Sequence, residues 1–145
     1  MIEEYRQLFR RLLVDLPAGT ARFNEYRVPK NDGTVIEIIP SKPECASFGV
    51  HLDDGVALVD FSFGRLGTWE LPYESRNRRP SADELVVEVE QMARAVMAGK
   101  CDERRGLFSL TSRIYVGDYT YKVVDVPMLP IPPFGLRTYA PYVSV

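Results

Sequence analysis

What most constrains the fold of this chain is a series of short period-two segments, each closed by a turn-forming group. Ala46, Phe48, Val50 and Leu52 alternate with Ser47, Gly49 and His51. That is the pattern of a half-buried β-strand. Asp53-Asp54-Gly55 supplies hairpin chemistry, and Ala57, Val59, Phe61 and Phe63 line one face of a returning strand over 56–63. Residues 34–39 are β-branched enough for a strand, entered from the Asn31-Asp32-Gly33 turn and bounded by Pro40 and Pro43. Gly64-Arg65-Leu66-Gly67 turns the chain into a short strand over 68–71. Further on, 107–116 and 119–126 flank Gly117-Asp118, a pair suited to a tight two-residue hairpin. Connections this short join antiparallel strands, because parallel neighbours need a long crossover. Residues 20–30 carry few signals and are assigned neither strand nor loop.

Two segments follow the helical period instead. In residues 2–15, Ile2, Tyr5, Leu8, Phe9, Leu12 and Leu13 share one side. Glu3 and Glu4 in the first turn, with Arg10 and Arg11 near the end, complement the helix dipole. Pro17 and Gly19 stop this helix. The second begins at Ser81, which forms a capping-box pattern with Glu84. Its stripe is Leu85, Val89, Met92, Ala93, Val96 and Met97, and Gly99 suits the left-handed closing position.

These elements predict an α+β fold, with two helices packed on one face of a largely antiparallel sheet of about five to six strands. A chain of 145 residues fits one domain of ordinary size. The expected division is a single domain over 1–126 and a proline-rich arm over 127–145. Pro127, Pro130, Pro132, Pro133 and Pro141 exclude helix from the arm and restrict strand pairing. The arm is too apolar for a disordered tail, since Arg137 is its one charged side chain. It is expected to dock on its own domain or on a partner.

Composition narrows the chemistry. The chain has one histidine, His51, and two distant cysteines, Cys45 and Cys101. That supply is too small for a His-rich or Cys-rich metal centre, so neither a metal nor a cofactor is expected. The sequence contains no Walker loop, no dinucleotide fingerprint, no H-E-x-x-H and no G-x-S-x-G, and it identifies no catalytic residue. A net charge of −2 and a pI near 5.5 argue against a dedicated nucleic-acid binder. The start of the chain lacks a basic, apolar leader, and no stretch is apolar enough for a membrane span. A cytoplasmic protein with reduced thiols is expected.

The leading functional expectation is a non-enzymatic protein-binding module of bacterial type. It would resemble an immunity protein or an adaptor, acting as a homodimer or with a protein partner. Its contact residues would be Arg76, Arg78 and Arg79 in the loop before the second helix, together with Phe134, Tyr139 and Tyr142 in the arm. Guanidinium groups grip oxyanions bidentately, and aromatic groups anchor interfaces. The rival expectation is a small-ligand binder or weakly marked enzyme. Its pocket would be lined by sheet aromatics and by His51, Asp60, Trp69 and Glu70. His51 beside Asp53 and Asp54 has the composition of a base oriented by a carboxylate. Strand alternation nevertheless points it away from the apolar face.

Overall fold

In the computed structural model the described residues are 1–29, 33–53, 59–64, 67–71, 81–107, 109–125 and 135–144. In chain order they form α1 (Ile2–Val14), β1 (Ala21–Val28), β2 (Gly33–Pro40), β3 (Phe48–Asp53), β4 (Val59–Phe63) and β5 (Gly67–Leu71). There follow α2 (Ala82–Met97), β6 (Cys101–Arg105), β7 (Leu110–Val116), β8 (Tyr119–Asp125) and β9 (Gly135–Thr138). The α+β class and the antiparallel pairing agree with the sequence reading. The strand arrangement differs from it, because the described strands divide into two sheets. One is a five-stranded meander, β1-β2-β3-β4-β5, and the other is four-stranded, in the order β8-β7-β6-β9.

The helices also differ from the expected arrangement on one sheet face. The buried side of α1, Tyr5, Leu8, Phe9 and Leu12, lies against β1 and β2. Helix α2 packs mainly on β7 and touches α1 and β4, so it bridges the two sheets. One continuous core results, built on the inward rows of β2, β3 and β4. Phe48 sits at its centre, with ring centroids 5.5 Å from Phe9, 6.1 Å from Phe61 and 6.3 Å from Tyr142. Full burial of each such ring contributes roughly 1.5–3 kcal/mol.

Both helix ends obey their sequence signals. The Ser81 hydroxyl accepts from the Glu84 backbone N–H at 3.2 Å, and the Ser81 N–H donates to the Glu84 carboxylate at 3.1 Å. Gly99 takes φ of +74°, and an added Cβ there would press on the backbone of Tyr139 and Pro141.

Three strands were not legible in the sequence. β1 pairs with β2 from Ala21↔Pro40 to Val28↔Gly33 and alternates poorly because much of it is half-exposed. β6, Cys-Asp-Glu-Arg-Arg, reads as polar but pairs on both sides, with β7 and β9. β9 lies in the longest proline-free stretch of the arm, 134–140. Beyond it the arm threads over the core. The Tyr142 hydroxyl donates to the Ala46 carbonyl at 2.6 Å, the Tyr142 N–H to Met97 at 2.8 Å, and the Ala140 N–H to Glu44 at 2.9 Å.

Candidate functional site on the outer face of the five-stranded sheet

In the five-stranded sheet, alternation sends one set of residues into the core and the other outward. Two outward rows cross all five strands. One is Tyr26, Val35, His51, Asp60 and Glu70, and the other is Asn24, Glu37, Gly49, Ser62 and Thr68. Tyr26, Ser62, Thr68 and Glu70 are exposed, and Glu37, His51 and Asp60 are half-buried. Among the described residues the helices lie on the other side, which leaves this face uncovered by them.

His51 stands in the middle strand. Its Nε2 lies 3.3 Å from an Asp53 carboxylate oxygen and its Nδ1 lies 3.7 Å from an Asp60 oxygen. Gly33 makes room for the ring, because a Cβ at that position would overlap the imidazole. Nothing in the sequence pattern marked Gly33 for this role; it is set by cross-strand register. Asp60 is directly opposite Glu70 on the neighbouring strand, and Asp53 ends the same strand as His51. Four carboxylates, from Glu37, Asp53, Asp60 and Glu70, therefore share one surface. Glu37 is engaged by the Asn24 amide, which donates at 2.8 Å.

His51, Asp60 and Glu70 are thus brought together as one cross-strand row, but Trp69 does not join them. It occupies the opposite face of β5, 1% exposed, stacked on Phe63 at 5.4 Å. These four residues cannot line a single pocket. Tyr139 and Tyr142, expected as partner contacts, are buried in the chain's own core. Arg76, Arg78, Arg79 and Phe134 lie outside the described residues. Cys45 is also in the core, its thiol donating to the Pro141 carbonyl at 3.4 Å. Burial pushes the Cys101 thiol up to about 12, aided by Glu103 and Asp102. Among the described residues, no three His, Cys, Asp or Glu side chains are grouped to hold a metal ion. No described helix is long and apolar enough to cross a membrane.

The interior holds polar groups that the sequence reading missed. Glu88 sits on the buried side of α2 and accepts from the Tyr121 hydroxyl at 3.0 Å. Its signal was available, for Glu88 falls between Leu85 and Met92 within the apolar stripe. On β6, the Asp102 carboxylate accepts from Arg113 at 2.8 Å and from the Tyr115 hydroxyl at 2.6 Å, and it raises the pKa of both. Glu103 and the Tyr139 hydroxyl converge beside Gly64, whose φ of +62° and missing side chain leave the space they fill. Burial first, and the Glu103 charge second, raise the Tyr139 hydroxyl above the ordinary tyrosine range. Even so, no hydrogen bond of normal geometry reaches that hydroxyl among the described residues.

No family model matches the chain, and neither a curated protein nor a solved structure is similar to it.

Proposed function

We propose that this chain is a non-enzymatic protein-binding module of the immunity or adaptor kind, and that its contact surface is the outer face of the five-stranded sheet. The observation that carries this reading is the directly opposed pair Asp60 and Glu70 on that open face. Like charges facing each other across strands destabilise a sheet, and any neutral pair would serve the fold better. A sequence keeps such a conflict where function requires it. A basic partner surface would turn the repulsion into attraction, and Asp53 and Glu37 extend the same field. Tyr26 and Val35 supply apolar area in the same row. The contacts of His51 are carboxylates, which supports a binding face over a nucleophilic centre. A cytoplasmic location is part of this proposal, and two free, buried thiols are compatible with it.

The test is affinity capture from native lysate with the wild type and with the triple variant Asp53→Lys, Asp60→Lys, Glu70→Lys. The captured protein is then purified and titrated against both. A basic partner that binds the wild type, weakens as salt rises and loses at least about tenfold in affinity for the variant supports the reading. A partner that binds both equally would move the contact surface elsewhere.

A further inference from the structure

The four-stranded sheet has an outer face of its own, opposite in charge to that of the five-stranded sheet. Cys101, Ile114 and Tyr121 of this sheet lie in the core. Strand alternation therefore turns Asp102 and Arg104 of β6 outward, together with their partners on the neighbouring strands. Two rows cross all four strands. One is Leu136, Arg104, Thr111 and Val124, and the other is Thr138, Asp102, Arg113 and Lys122. Leu136 is 58% exposed and Val124 52%, and Arg104 between them is exposed. Asp102, the one acid in the two rows, is buried and already accepts from Arg113 and from the Tyr115 hydroxyl. What this face turns outward is basic, with apolar groups at both ends of one row.

The outer face of the five-stranded sheet is its complement. Asp60 and Glu70 oppose each other there, and Asp53 stands beside His51. The Asp53 and Asp60 side chains are 45% and 37% exposed, and Glu70 is exposed. Tyr26, 48% exposed, and Val35 add apolar area to the same row.

We propose that the basic outer face of one copy docks on the acidic outer face of the next, so that the partner of the acidic surface is a second copy of this chain. The inference rests on the reading of that surface as a contact face. Charge decides between the three ways of pairing two such faces. Acidic on acidic sets carboxylates against carboxylates, and basic on basic opposes guanidinium groups; both are repulsive. The mixed contact brings Arg104 and Arg113 to a row of carboxylates, which guanidinium forks grip bidentately. It also lets Leu136 and Val124 meet Tyr26 and Val35 in a shared apolar patch. Four strands about 4.8 Å apart make a face roughly 20 Å wide, at the small end of specific interfaces. The contact is therefore weak and salt-sensitive. It joins two different surfaces, so every pair leaves one face of each kind unused, and assembly continues past the dimer unless a ring closes.

The experiment is light scattering of the full chain from about 1 µM to about 500 µM, at low salt and at about 0.5 M salt. The wild type is measured beside an acidic-face variant, Asp53→Asn with Asp60→Asn and Glu70→Gln, and a basic-face variant, Arg104→Glu with Leu136→Glu. Circular dichroism verifies that each is folded. At low salt the wild-type mass should rise with concentration beyond twice 16.5 kDa, and at high salt it should return to the monomer. Each variant alone should associate at least about tenfold more weakly. Mixed in equal amounts, the two variants should form a one-to-one dimer that grows no further, because each supplies the face that the other lacks. A wild type that stays monomeric throughout would overturn the proposal, as would association that either variant leaves intact or a mixture that pairs no better than its components. The acidic surface itself fails as a contact face by a different result, when the triple lysine variant captures the same partner as the wild type.

Discussion

Arg6 on α1 reaches Glu25 on β1 through two hydrogen bonds of 2.7 Å, a bidentate pair that ties the first helix to the edge of its sheet. That hydrogen bonding holds the Glu25 carboxyl below the ordinary glutamate range. The folded state therefore prefers the ionised form. Its contribution is present in full above the usual value of 4.5 and is lost as pH falls through the lower folded value. Glu25→Gln should be less stable than the wild type at pH 7, and the two should converge at about pH 2. Urea melts at both pH values check this; an equal gap at pH 2 would assign the loss to packing instead. Much at this scale was hidden in the sequence. Nothing there linked Arg6 to Glu25, which lies in the unassigned stretch 20–30, and Gly33 was a turn residue, because partners 19 positions apart are chosen only once β1 has folded back beside α1.

Among the elements, α2 was the most legible. Its cap, its stripe and its closing glycine are local, and each signal lies within about one turn of the residue it acts on. Ser81→Ala should cost about 1 kcal/mol, read as a lower midpoint in chemical denaturation with an unchanged slope. An effect near zero would mean that packing alone sets the helix start. The hairpin of β7 and β8 was equally legible through Gly117-Asp118, with φ of +56° at Gly117. β6 was not. Its run of charged residues carries no strand signal, yet Asp102 and Glu103 are buried in a strand paired on both edges. β1 and β9 failed to show for a related reason. β1 mixes half-buried with exposed residues and β9 is exposed throughout, so neither carries a period-two signal.

At the scale of the whole molecule, the described end of the arm places Tyr139 and Tyr142 in the core. Tyr139 and Tyr142 are 6% and 2% exposed, and β9 completes the edge of β6. Truncation after Val126 removes both aromatic groups, at roughly 3–5 kcal/mol each, against a total of about 5–15 kcal/mol for a typical domain. The truncated chain should lose cooperative thermal unfolding, as calorimetry would show. A sharp transition near that of the full chain would mean that the arm is dispensable. By itself, the sequence determined the α+β class, the antiparallel pairing, both helices and the strands bounded by turn residues. Those properties follow from hydrophobic period and local backbone chemistry, which act over a few neighbouring residues. Only the tertiary structure decided the division into two sheets, the burial of Tyr139, Tyr142 and Glu88, and the row that unites His51, Asp60 and Glu70 while turning Trp69 inward. Each of these depends on which distant strands become neighbours and in what register, and that choice is made by the fit of the whole core.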